Sequence, residues 1–324
     1  MRALVISGGG SKGAYAGGVA EHLIRVQKNK YDLFVGTSTG SLLLTHLAIS
    51  KIDKLHDLYT GVSQKDIFSR NPFTIKKRGN REYVGINYFN TIVQFLRHRR
   101  TFGESGNLKK LINRNISREE FEQARARVHD IVVTVSNLSK GIVEYKSIKD
   151  YSYEEFCDWV WISCNFVPFM SLAKRKGNEY ADGGFGAIVP IREAIRRGAT
   201  TIDAIILKSE SLDERQALGQ NPFSLMMSLF QFMSSQIENS NMIEGDLAAQ
   251  LKDVKLNVYR TPSKLIENSL IFDKTLMTNW WQQGFDYASE RAKEKQEATT
   301  VGKWIEFLRK KNPFQFSATK TEEE

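Results

Sequence analysis

Tyr31-Asp32-Leu33-Phe34-Val35 is an apolar run that leads into Gly36-Thr37-Ser38-Thr39-Gly40, and Ser41-Leu42-Leu43-Leu44-Thr45-His46-Leu47-Ala48-Ile49 follows it. An apolar run, a Gly-x-Ser-x-Gly pentapeptide and a helix-like run, in that order, predict a strand, a sharp turn and a helix. So tight a turn has no room for a bulky Cβ beside the serine, and Gly36 and Gly40 meet that need. Ser38 would then stand at the carboxyl end of the strand, near the positive end of the following helix. The pentapeptide arises often by chance, so its weight as a nucleophile signal comes from the strand and helix on either side.

Upstream, Arg2-Ala3-Leu4-Val5-Ile6-Ser7 reads as a buried strand, Gly8-Gly9-Gly10-Ser11-Lys12-Gly13 as a loop, and Ala14 to Val26 as a helix. Gly8-x-Gly10-x-x-Gly13 matches the dinucleotide fingerprint in form. That fingerprint calls for an acid at the end of the second strand, about 20 residues on, whereas Asp32 begins that strand and Gly36 to Ser38 end it. A Walker loop fails as well, because Lys12 comes too early and Gly13 follows it. The loop's backbone N–H groups are then free to serve another anion, and an oxyanion formed beside Ser38 is the natural candidate.

At 324 residues, with 41% hydrophobic content and mixed charge, the chain is long enough for a large globular core. The first strand is too short for a signal-peptide core, and no apolar run nears the ~20 residues of a membrane helix, so a cytoplasmic protein is expected. Cys157 and Cys164 lie about two turns apart on one helical segment, too far to bridge, and read as buried reduced thiols. The net charge of +9 is spread over clusters such as Lys76-Lys77-Arg78, Arg97 with Arg99-Arg100, and Lys174-Arg175-Lys176. No duplex-reading motif accompanies them, so no nucleic-acid duplex is expected as a partner. Anionic lipid headgroups, a small phosphorylated ligand or an ordinary solvated surface each account for the charge.

Residues 51 to about 127 read as mostly helical and irregular, with turn signals at Asn71-Pro72 and Gly79-Asn80, helical runs over 87–97, 107–112 and 117–127, and a Ser117/Glu120 capping box. Tyr88, Phe89, Ile92, Val93, Phe95 and Leu96 crowd the first of these helices, which reads either as core or as a cap that touches lipid. Strands are expected over 128–135, 142–148, 202–207 and 254–259, with helices over 153–164, 191–197, about 221–251, 275–297 and 301–311. The methionine- and phenylalanine-rich start of the 221–251 helix reads as core, acyl-binding surface or subunit contact. The alternation predicts an α/β fold of three layers, α/β/α, with a mostly parallel central sheet.

A serine needs a base, and the five histidines, His22, His46, His56, His98 and His129, all lie before residue 130. The α/β-hydrolase order, with a late histidine, cannot apply. Asp182, followed by Gly183-Gly184, is the best non-histidine candidate; on local grounds the tripeptide reads equally as a turn.

Gly8-Gly9-Gly10-Ser11-Lys12-Gly13, Gly36-Thr37-Ser38-Thr39-Gly40 and Asp182-Gly183-Gly184, in this order, resemble the patatin-like phospholipase family. Ala14 to Gly18, Ser163 to Pro168, the Pro190 segment up to Ala199, Ser269 to Asp273 and Gly284-Phe285 extend the likeness over roughly residues 1 to 60 and 128 to 290. Ile188 departs from the asparagine that many relatives carry, and Ser7 from the aspartate of plant members. The resemblance implies a single domain over residues 1–311, a cap-like helical insertion at about 61–127 and a disordered tail at 312–324. It implies a lipid acyl hydrolase with a Ser38–Asp182 dyad, an oxyanion hole from Gly9, Gly10 and Thr39, and support from Gly8, Lys12, Gly13, Gly36, Gly40, Gly183 and Gly184. No metal or other cofactor is called for. Membrane phospholipids would be met peripherally at the inner face of the membrane. Some bacterial members of similar size are anti-phage effectors switched on by cyclic nucleotides, so such an activator is an expectation here, as is a homo-oligomer. The competing reading is a non-catalytic nucleotide-binding module that uses the Gly8–Gly13 loop.

Overall fold

The computed structural model describes residues 1–78, 81–209, 222–261, 265 and 268–311. The tail expected at 312–324 lies outside them. In chain order the elements are β1 (Arg2–Ile6), α1 (Gly13–Glu21), β2 (Leu33–Thr37), α2 (Thr39–Ala48), α3 (Ile52–Gly61) and α4 (Gln64–Ile67). Next come β3 (Phe73–Arg78), β4 (Arg81–Ile86), α5 (Tyr88–Leu96), α6 (Gly106–Asn115) and α7 (Arg118–Arg127). The second half holds β5 (Asp130–Asn137), β6 (Ile142–Ser147), α8 (Tyr153–Ser163), β7 (Ala173–Arg175), β8 (Asn178–Asp182), α9 (Ile191–Arg196), β9 (Thr201–Ser209), α10 (Pro222–Leu251), β10 (Lys255–Thr261) and α11 (Lys274–Lys311).

The strands β10-β9-β1-β2-β5 are parallel, and β5 adds β6 and β8 antiparallel, with β7 beyond β8. Alternate side chains along each strand enter opposite faces. Leu4, Ile6, Phe34, Ile131 and Val133 join a core with α1, α2, α3, α8 and α11. Ala3, Val5, Leu33, Val35 and Val132 join a second core with α9 and α10. Two apolar faces, each covered by helices, make the expected three-layer α/β/α arrangement.

Two expectations need correction. The region 51–127 is mostly helical, as read, through α3 to α7, but it also holds a strand pair that the reading missed: β3 and β4 form an antiparallel hairpin, from Phe73↔Ile86 to Arg78↔Arg81. Residues 79–80, where a turn was read, lie outside the described residues. The two helices expected after residue 274 are one, α11, because the stretch between them holds neither the glycine nor the proline needed to stop a helix. The Ser117/Glu120 capping box is present, with Glu120 N–H donating to Ser117 Oγ at 3.2 Å and Ser117 N–H donating to Glu120 Oε2 at 3.0 Å. Among the described residues no helix is long and apolar enough to cross a membrane.

Candidate active site

Strand register brings the two halves of the site together. Along one edge of β5, Thr37 of β2 pairs with Thr134. Asp182 of β8 pairs with the next residue, Val135. β2 runs up this edge and β8 runs down it, so the two strands meet end to end. The next residue after Thr37 is Ser38, and it faces Asp182 across the junction.

Ser38 occupies φ 55°, ψ −125°, a conformation L-residues rarely adopt, and α2 starts immediately after it. Such strain persists only where the surroundings hold it. Here the glycines make that possible: a Cβ on Gly40 would lie 2.3 Å from Ile6 O, and one on Gly36 would lie 2.7 Å from the Gly40 carbonyl carbon. The elbow is packed backbone against backbone, which is why the sequence needs Gly at both positions.

Ser38 Oγ donates to Asp182 Oδ2 at 2.6 Å, and Gly184 N–H donates to Asp182 Oδ1 at 2.7 Å. Asp182 is buried, and that burial pushes its pKa up to about 7 against the pull of both hydrogen bonds. A carboxyl that titrates near neutrality beside a hydroxyl is suited to take and return a proton. The close approach depends on Gly183, whose Cβ would meet Thr134 O at 2.4 Å.

The glycine loop packs on the elbow. A Cβ on Gly8 would touch Ser38 Cβ at 3.4 Å. Four loop N–H groups are occupied: Gly8 donates to Ile188 O (3.1 Å), Ser11 to Ser269 O (2.8 Å), Lys12 to Gly9 O (3.2 Å) and Gly13 to Gly10 O. Among the described residues this leaves the N–H groups of Gly9 and Gly10 without a hydrogen bond. Thr39 adds the first N–H of α2, which no turn of the helix can satisfy. The Thr39 hydroxyl is held 2.9 Å from Tyr59 OH, and there is no room for a Cβ on Gly13 beside it. Lys12 reaches back to the Leu207 carbonyl, and Ser7 Oγ accepts from Leu207 N–H at 2.9 Å, so both side chains tie the loop to β9. Of Ile188, it is the main-chain carbonyl that holds the loop, so the change of side chain there leaves the link intact.

Sequence reasoning gave no role to Ser163 and Cys164. Ser163 Oγ accepts from Ser38 N–H at 2.9 Å, donates to Thr134 O at 2.7 Å and lies 2.9 Å from Ser41 Oγ. It thus pins the elbow to β5. Cys164 is free and buried, its thiol lies 3.2 Å from Ser38 O, and burial, with Asp182 nearby, holds it protonated. Their partners are far away in sequence, and no local pattern marks them; the only signal was that both fall in the stretch 163–168 that carried the family likeness. Of the histidines, His46 on α2 is buried, its Nε2 lies 3.0 Å from Asn115 O, and burial lowers the ring's pKa.

Ser38, Asp182 and Gly8 to Gly10 line one cavity of about 570 Å³. Leu42, Phe166, Met170, Met227, Phe230 and Phe272 give it apolar walls, with Lys208, Gln231 and Glu238 toward a polar side. A second cavity of about 50 Å³, almost wholly apolar, shares Thr39, Leu42, Ile67, Leu108 and Phe272 with it and extends toward Ile116 and Met277.

A mostly parallel sheet that ends in a strained serine, a glycine loop and a buried aspartate defines an α/β fold built around a sharp strand–turn–helix elbow. The patatin-like phospholipase model matches residues 4–195, more than half of the chain, and the chain belongs to that family. It is 26% identical over 212 residues to a protein of Escherichia coli K12 described as uncharacterized protein YjjU. The match covers 63% of this chain and 51% of that protein, so the chain spans about half the relative's length. Among solved structures, VipD from Legionella pneumophila is similar at 12% identity and a TM-score of 0.48, covering 89% of this chain and 66% of VipD.

Proposed function

We propose that the chain is a lipid acyl hydrolase that cleaves ester-linked acyl chains of membrane phospholipids through Ser38 and Asp182. The observation that carries this reading is the 2.6 Å hydrogen bond from Ser38 Oγ to a buried carboxylate at the floor of an apolar cavity. Ser38 Oγ attacks the ester carbonyl carbon while Asp182 takes its proton. The carbonyl oxygen becomes an oxyanion and is met by the N–H groups of Gly9 and Gly10, with Thr39 beside them. The tetrahedral intermediate collapses, the C–O bond of the leaving lysolipid breaks, and Asp182 returns the proton to the departing oxygen. Asp182 then takes a proton from water, which attacks the acyl-serine; the acyl C–O bond to Ser38 breaks, the fatty acid leaves, and Asp182 returns the proton to Ser38 Oγ. The apolar walls and the narrower second cavity suit an acyl chain lying past Leu42 and Leu108. The family membership supports the reaction class.

The test is release of fatty acid from mixed phospholipid vesicles by the intact chain, Ser38→Ala and Asp182→Asn. Release by the intact chain with both variants silent is the expected result. Equal release by intact chain and Ser38→Ala would remove Ser38 from the chemistry.

A further inference from the structure

A helix on a water-facing surface turns its apolar side to the protein and its polar side out. α5 does the reverse. Its buried residue is Gln94, 1% exposed, and neither polar atom of that side chain has a hydrogen-bond partner; the Thr91 hydroxyl is likewise buried and unpartnered. Its exposed residues are Tyr88, Phe89, Ile92, Phe95 and Leu96, with Phe89 at 75% and Phe95 at 78%. Unpaired amide groups inside and large apolar groups outside are both unfavourable in water. This orientation suits a helix whose outer neighbour is itself apolar.

The surroundings say which neighbour. α5 ends directly in Arg97-His98-Arg99-Arg100, all exposed. Arg99 and Arg100 each touch one carboxylate, Glu104 and Glu179, and their side chains remain 63% and 60% exposed. Apolar residues followed by a basic cluster match a bilayer surface, with acyl chains below and phosphates above. The patch also continues toward the catalytic cavity. β4 packs on α10 and leads through Asn87 into α5. On α10, Leu225, Leu229, Phe232 and Met233 form an exposed stripe at helical spacing, and Phe232, 62% exposed, also lines the catalytic cavity.

We propose that α5, with the outer stripe of α10, is the surface by which the protein seats itself on an anionic bilayer with its catalytic cavity opening toward the lipid. The inference rests on the reading of the substrate as a membrane lipid. The seating itself is independent of catalysis and can be measured without it.

The experiment uses the full chain carrying Ser38→Ala, so that lipids stay intact, and flotation with phosphatidylcholine vesicles with and without phosphatidylglycerol. The parent should float with the anionic vesicles. Adding Phe89→Ser and Phe95→Ser should weaken that binding roughly tenfold or more, because two exposed rings no longer enter the acyl region. Circular dichroism should show the fold unchanged, since both rings are solvent-facing. Adding Ile243→Ser and Leu247→Ser instead, which removes exposed apolar side chains further along α10, should leave binding as it was. No flotation of the parent, undiminished flotation of the Phe89/Phe95 variant, or equal loss in both double variants would overturn the proposal. So would ultracentrifugation that shows the Phe89/Phe95 changes splitting a dimer while vesicle binding persists; α5 would then be a contact between two copies. Binding that follows the expected pattern, in a protein whose Ser38 form releases no fatty acid, would leave the docking surface standing and remove the hydrolase reading.

Discussion

Ser38 Oγ and Asp182 Oδ2 lie 2.6 Å apart although 144 residues separate them in the chain. The distance follows from β5, whose consecutive residues Thr134 and Val135 pair with Thr37 and Asp182. A contact set by sheet register has little freedom to drift, which is what a proton transfer between two side chains requires.

Replacing Asp182 by Asn keeps size and the hydrogen bond to Gly184 while removing the base. With a soluble short-chain ester, kcat is expected to fall by roughly 10²–10⁴ with KM little changed. The measurement is steady-state kinetics on the intact chain and the variant. A variant that keeps most of its kcat would show that Asp182 is not the proton acceptor.

The Asp182 carboxyl, raised by burial to about 7, also fixes two pH responses. As the proposed base it must be ionised, so kcat/KM should rise with pH through an apparent pKa near 7 and level off above it. Its effect on stability has the opposite sign. Between the unfolded value near 3.8 and the folded value near 7 the folded chain holds a proton that the unfolded chain has lost. Stability contributed by this group is therefore full below about 4 and is lost as pH rises to about 7, by an amount on the order of a few kcal/mol. Urea unfolding across this range should show the decline in the parent and a flatter line in Asp182→Asn.

Much of this was legible because the signals are short-range. Gly36 and Gly40 mark an elbow whose packing excludes a Cβ, and Asp182 sits before two glycines for the same steric reason, so each motif carries its cause within a few residues. The three-layer fold was legible because Leu4, Ile6 and their alternates Ala3 and Val5 are apolar on both faces. The β3–β4 hairpin was not, because Thr74, Lys76, Lys77, Arg78, Arg81 and Glu82 make the two strands polar and give little period-two apolar pattern. Nor was the orientation of α5: its apolar spacing was clear, but which side faces the protein depends on contacts made by residues far along the chain. Ser163 was invisible for that reason too, since its partners Ser38 and Thr134 lie 125 and 29 residues away.

Ser163 is expected to act as a positioning residue, and its removal would separate position from chemistry. Ser163→Ala leaves the Ser38 N–H and the Thr134 carbonyl without their buried partner. A loss of about 1–3 kcal/mol in stability is expected from those unpaired groups. The elbow also loses its tether to β5, so kcat should fall by about tenfold while KM holds, the mark of a misplaced nucleophile. If stability falls and kcat does not, the serine is only a structural link.

Glycines at the elbow and elsewhere should respond to alanine in opposite directions. At Gly40 a methyl group would lie 2.3 Å from Ile6 O, against backbone that belongs to the central strand and cannot yield cheaply. Gly40→Ala is expected to cost about 1–3 kcal/mol or more and to take most of the activity with it, because β1 and the elbow must part. At Gly61, the last residue of α3, an added Cβ meets nothing within 4 Å. There the same substitution mainly restricts the unfolded chain and favours the helix, so Gly61→Ala should raise stability by about 0.4–1 kcal/mol with activity unaltered. Thermal melts and ester kinetics on the two variants decide the matter. If both glycines lowered stability alike, the loss at Gly40 would reflect a general sensitivity to alanine; a loss confined to Gly40 would trace it to the backbone contact that holds Ser38 in its strained conformation.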